Sequence, residues 1–223
     1  MHLAALLTVL AAPVLVAAGA AHPVGTVPAT WDGQCAYPRP QQGFKASRYV
    51  GPQPDGDSRA VWYQLAAQDQ PFSSDCRCVN ASYGSFRNGT VTVENRCVRG
   101  ETSSGIKGVA PPAAPEFGAG AFRVDFGARS TNTAEGCQGP NYIVQKAYYN
   151  KPGEKLCTKA KGRRQYETVI VSSDNFDGWF VLSRTRNVEQ RVVEEYIKEV
   201  AALGNPLTKP YSITDQSNCP AVP

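Results

Sequence analysis

Histidine is nearly absent from this chain: two occur in 223 residues, His2 and His22, both at the extreme amino end. That excludes Ser-His and Cys-His nucleophilic catalysis, and histidine-held metals, from the body of the chain. A Cys-x-x-Cys pair is missing too. "CRC" at 76–78 has the wrong spacing for a zinc or redox site, so no metal is expected. Charge of either sign is thin, with a net +4 and only 19% charged residues. The bases are dispersed apart from "KAKGRR" at 159–164, which reads as a solvated loop, and no nucleic-acid partner is expected. Carboxylates remain as acid–base candidates. Glu94, Glu167, Asp174 and Asp177, however, lie in segments that alternate like strand surfaces and read as solvated strand or turn residues.

Beyond residue 18 the chain has no long apolar run, so no membrane span is expected. The one such run, positions 3–18, precedes the first charged residue, Asp32, and ends in the small residues Ala18–Ala20. It reads as a secretory signal over 1–20, with cleavage near Ala20 or Ala21, and its shortness and Pro13 argue against an anchor. The rest, 21–223, is expected to form a single secreted, extracellular domain.

Seven cysteines are present: Cys35, Cys76, Cys78, Cys97, Cys137, Cys157 and Cys219. In an oxidising compartment they read as disulfides, three bridges with one thiol left over, either free or bonded to a disulfide-linked partner. The sequons "NAS" at Asn80 and "NGT" at Asn88 fit the same compartment and mark glycosylated residues expected to face water.

What fills the chain is short alternating segments with turn residues between them. Strands are predicted over 60–67, 76–87, 90–100, 104–110, 121–128, 141–149, 165–173 and 178–185, with a hairpin at Asn88-Gly89. Eight strands invite closure into a barrel wide enough for one small ligand. A helical period appears once, over about 187–203, where Val188, Val192, Tyr196, Val200 and Leu203 recur, Asn187 is placed to cap the start, and Gly204 with Asn205-Pro206 stops it. The expected fold is all-β: an eight-stranded antiparallel up-and-down barrel over about 60–185, one C-terminal α-helix packed on its outside, and a tail over 204–223.

In order and spacing, "GFKASRYVG" with "VWYQLA", "CVNASYG" with "NGTVTVEN", "WFVLSRTR" and the closing "TDQSNCP" resemble the lipocalins over about Cys35 to Pro220. The resemblance implies a carrier of a small hydrophobic molecule, a fatty acid, sterol, pigment or other lipid, held without a covalent bond, so neither a cofactor nor enzyme activity is expected. It implies a bridge from Cys78 to Cys219. Cys35 has its family partner on the seventh strand, where "YETVIVSSDN" carries no cysteine, and Cys157 is assigned to that role. Cys76 with Cys97 is a further pair, brought together by the hairpin, and Cys137 is then odd. Two departures stand out: nine extra residues, 52–60, leave Ala60 at the glycine position of the family's Gly-x-Trp motif, and "NKPGEKLCTKAKGRR" at 150–164 replaces the block before the seventh strand.

With Asn80 outward, Val79, Ala81 and Tyr83 face the interior. The family's inward position, matched by Asn95, places Val91, Val93 and Asn95 inside. Arg184 matches the arginine that packs on the motif tryptophan, here Trp62, giving both a structural role at the closed end, with Phe180 and Leu182 inside and Trp179 outside. These eight inward residues form the expected ligand site, Tyr83 and Asn95 being its polar members. Two other functions remain open: a lipocalin-fold isomerase or synthase, which needs a reactive thiol or carboxylate inside the barrel, and a secreted interaction protein acting through the two inserted loops.

Overall fold

The computed structural model describes residues 29–50, 59–70, 75–85, 88–127, 136–159 and 164–222. The signal segment, both histidines, residues 52–58 of the first insertion and residues 160–163 of the basic cluster lie outside them.

Eight strands, joined by a ninth from the tail that pairs with the first of them, form one antiparallel sheet: β3 Ala60–Gln68, β4 Arg77–Ser85, β5 Val91–Arg99, β6 Thr102–Ala110, β7 Ala121–Phe122, β8 Tyr142–Tyr148, β9 Thr168–Ser172 and β10 Trp179–Ser183. A hairpin of β1 Ala29–Trp31 and β2 Ala36–Pro38 precedes them. Strand order in the sheet is β6-β5-β4-β3-β10-β9-β8-β7, so neighbours in sequence are neighbours in space except where β3 meets β10. The outer edges then meet: Val109 and Asp125 exchange backbone hydrogen bonds of 3.0 and 2.8 Å, and Arg123 donates to the Pro111 carbonyl. The sheet is thereby curled into a barrel, with β7 shorter than its alternation predicts because the chain beyond Phe122 turns to make this closure.

Gly108 is what lets the edges approach. A Cβ on it would lie 2.3 Å from the Asp125 carbonyl oxygen and 2.6 Å from a Phe126 ring carbon. Gly108→Val is therefore expected to destabilise the fold by about 2–3 kcal/mol in urea unfolding, as overpacking against backbone does. An unchanged midpoint would mean that the barrel does not close here.

Alternation along the strands sorts apolar residues to two sides. Ala60, Trp62, Ala81, Tyr83, Val91, Val93 and Leu182 face the interior cluster. Leu65, Ile170, Trp179 and Val181 face outward under the helix α1, Gln190–Ala202, which buries Val192, Val193, Tyr196, Ile197 and Val200 against them. Asn205, just past the helix, is 2% exposed and fastens it: its amide donates to Gln145 Oε1 at 2.7 Å and to the Val200 carbonyl, and it accepts from Ser172 Oγ. The helix ends where expected, with Gly204 at φ +88. It starts later than expected, and Asn187 is not its cap: Glu189 holds that position without a side-chain cap bond. The preceding residues are committed to the tail, the Arg186 guanidinium lying 4.7 Å from the Tyr63 ring and donating to the carbonyls of Cys219 and Pro220.

Three disulfides join Cys78 to Cys219, Cys76 to Cys97 and Cys35 to Cys137, and Cys157 is the free thiol. The pairing of Cys35 with Cys157 is thus corrected, and Cys137 is not odd. Cys137 precedes β8 and Cys157 follows it, so the seven residues of that strand hold them roughly 20 Å apart. The end that carries Cys137 is the one beside the β1–β2 hairpin, where Gly139 N–H donates to the Tyr37 hydroxyl.

Candidate functional site

The closed end is built from the start of β3 and the end of β10. Trp62 is fully buried, its Nε1 donating to the Tyr49 carbonyl at 3.1 Å. The Arg184 guanidinium lies 4.4 Å from the Trp62 ring centre and donates to the carbonyls of Tyr49 and Tyr166 at 3.0 and 2.9 Å. Phe44 stacks on Tyr166 at 5.4 Å beside them. Neither Trp62 nor Arg184 lines the cavity above; they form its floor.

Above that floor lies a cavity of about 820 Å³, within the size range of small-molecule sites. Val79, Ala81, Tyr83, Val91, Val93, Asn95, Phe180 and Leu182 all line it. The cavity runs to strand ends near Gln70, Arg99 and Asp177, and Ile106, Phe122, Val124 and Phe126 add further apolar wall.

Its polar content is concentrated in tyrosine. Tyr49 and Tyr142, which strand alternation did not single out, join Tyr83 in one cluster. The Tyr142 hydroxyl is hydrogen-bonded to Tyr49 by a short contact and to Tyr83 at 3.1 Å. Burial raises the pKa of all three phenols above the ordinary tyrosine value, Tyr49 and Tyr142 well above it, so the cluster is neutral near pH 7. Asn95 Oδ1 is buried without a hydrogen-bond partner, whereas Asn141 is fully occupied in bonds to the Val124 backbone. Tyr49 sits beyond a 3₁₀ turn, Ala46–Arg48, where no strand period could mark it, although it belongs to the "GFKASRYVG" block.

Two surface expectations are corrected. Asn80 is 9% exposed, with its amide donating to the Cys78 carbonyl at 3.0 Å. It does not stand in open water because the tail covers this stretch, Gln216 donating to the carbonyls of Gln64 and Val79. Asn88 is exposed in the turn between β4 and β5. Glu94 is not solvated either: it is 8% exposed and ion-paired to Arg59, Arg96 and Lys107. Burial works to raise its carboxyl, but the Arg96 hydrogen bond and the three cations hold it below the usual glutamate range. Asp174, 1% exposed, is likewise buried.

A family model described as a lipocalin-like domain matches residues 57–152. Apolipoprotein D of Macaca fascicularis is 24% identical over 194 residues, covering 84% of this chain and 85% of its own, and apolipoprotein D of Bos taurus matches with the same identity and coverage. Among solved structures, apocrustacyanin C2 superposes with a TM-score of 0.50 at 17% identity, over 79% of this chain and 82% of its own. At that identity the superposition speaks for the fold alone.

Proposed function

We propose that this chain, whose residues 57–152 match a lipocalin-like family model, binds and carries a small hydrophobic molecule outside the cell, without covalent chemistry and without a cofactor. The observation that carries this reading is the open apolar cavity of about 820 Å³ above a sealed floor. A barrel whose interior had collapsed would instead have favoured action through the inserted loops. Export is supported by the apolar segment at 3–18 and by three disulfides, which persist in oxidising compartments. An enzymatic reading gains nothing from the free thiol, since Cys157 sits on the loop after β8 and does not line the cavity; the carboxylates that do line it are Asp174 and Asp177.

The test is tryptophan fluorescence of protein collected from culture medium, titrated with fatty acids, sterols and retinoids, for the wild type and for Tyr83→Phe and Asn95→Leu. Saturable quenching at micromolar ligand or below, weakened roughly twofold to tenfold by either change, is expected for a carrier. If no ligand of the panel saturates, the carrier reading fails and the loops become the place to look.

A further inference from the structure

The inside of the barrel also constrains the chemistry of the cargo, an inference that rests on the carrier reading. Tyr49, Tyr83 and Tyr142 come from three separate stretches of chain and aim their hydroxyls at one point. Each phenol brings one hydrogen, and the two bonds that link them through Tyr142 use two of the three. Tyr49 and Tyr83 also interact with each other, so a guest oxygen takes a phenolic hydrogen by entering the cluster in place of one of these mutual bonds. Since desolvation keeps all three phenols protonated, the cluster offers that hydrogen without offering charge.

Asn95 supplies a second polar point on the same wall. It pairs with Ala81, two residues along from Tyr83, which makes it a diagonal neighbour of Tyr83 at roughly 7–8 Å. Its Oδ1 is buried and unpartnered, a costly state for an amide unless a guest fills the bond. A hydroxyl both donates and accepts, so it suits this amide in either orientation.

Among the described residues, the charged ones lining the cavity are Arg96, Arg99, Asp174 and Asp177. The Arg96 guanidinium is bonded to the Glu94 carboxylate, Arg99 is exposed at the end of β5, and Asp177 is paired with Lys209. None of them gives a carboxylate head group a cation next to the phenols, and an anion buried there without one is strongly disfavoured. We propose that the cargo is a neutral oxygenated lipophile, with a carbonyl or similar acceptor oxygen seated on the Tyr49–Tyr142–Tyr83 cluster and a hydroxyl facing Asn95, rather than a fatty acid whose carboxylate is seated at that cluster.

Displacement of diphenylhexatriene, a fluorescent hydrocarbon with no polar atom, tests this. The competitors are a long-chain methyl ketone and the carboxylic acid of equal chain length, on the wild type and on Tyr142→Phe. In the wild type near neutral pH the ketone should displace the dye about tenfold more tightly than the acid, and the gap should close near pH 5 as the acid takes up its proton. Tyr142→Phe should weaken the ketone roughly threefold to tenfold relative to diphenylhexatriene, whose own affinity is measured on each protein as the reference. A carboxylate that competes as well as the ketone at neutral pH overturns the neutral-cargo inference while the carrier reading stands, and so does a ketone indifferent to Tyr142→Phe. Failure of the hydrocarbon to bind the wild type at all removes the carrier reading, and the inference with it.

Discussion

Replacing both partners of the tail disulfide, Cys78→Ser with Cys219→Ser, should destabilise the protein by about 5 kcal/mol and lower its unfolding temperature by roughly 10 °C or more. The bridge spans 141 residues, almost the whole barrel, so its removal releases a large share of the unfolded chain's freedom. There is also a local reason. Ala66 and Ala67 pair with both β10 and the tail strand β11, Tyr211–Ile213. A strand has only two hydrogen-bonding edges, so β11 must lie on the edge of β3 that faces β4. Strand β4 itself pairs with β3 only over Ala60–Tyr63 and is irregular between Arg77 and Asn80.

The tail therefore fills the gap where β4 leaves β3, and the disulfide holds it there together with the bonds from Cys78 N–H to the Asp215 carbonyl and from Thr214 N–H to the Leu65 carbonyl. Untethered, β11 should fray, the amides of residues 65–68 should exchange faster, and ligand affinity should fall as that wall opens. Denaturant unfolding with hydrogen exchange checks this. A loss below about 1 kcal/mol with unchanged exchange would mean that pairing alone holds the tail.

That arrangement also shows what the sequence could reveal and where it stopped. The eight strands were legible because each presents one face to the interior and one elsewhere; the cavity residues on β4 followed from that period, and those on β5 and β10 from it once the lipocalin resemblance had anchored Asn95 and Arg184. Tyr142 escaped because β8 shifts register between Val144 and Lys146: Val144 and Ala147, three apart, both face the interior, which breaks the period. Glu94 escaped because its fate depends on Arg59 and Lys107, which approach from another segment and another strand. Alternation says which side a residue faces, but not what covers that side. The same limit applies to Asn80, read as outward, which is roofed by a tail more than a hundred residues away and also counts among the residues lining the cavity. The Cys35 pairing depended on which loop of β8 lies beside the β1–β2 hairpin, and local pattern carries no information on that.

Trp62→Ala should be nearly as damaging as loss of the clasp, at about 4–5 kcal/mol, the upper range for truncating a fully buried aromatic. The residue is at 0% exposure and is held on three sides: by the Arg184 guanidinium on its face, by the Tyr49 ring at 4.9 Å, and by its own Nε1 bond to the Tyr49 carbonyl. Truncation removes the ring's burial and leaves Arg184 over a void with its bonds to Tyr49 and Tyr166 unsupported. It also opens the floor, and because the Tyr49 hydroxyl belongs to the cavity's phenol cluster, movement of Tyr49 should carry the defect into ligand binding. Trp62→Phe keeps a ring and loses the donor, so about 1–2 kcal/mol is expected from it. A double-mutant cycle with Arg184→Met isolates the stacking, for which a coupling of roughly 0.5–2 kcal/mol is expected. Zero coupling would show that Trp62 and Arg184 act independently, the tryptophan by filling space and the arginine by bonding to backbone. A measurable one would make them a single fastener between the first and last strands of the barrel.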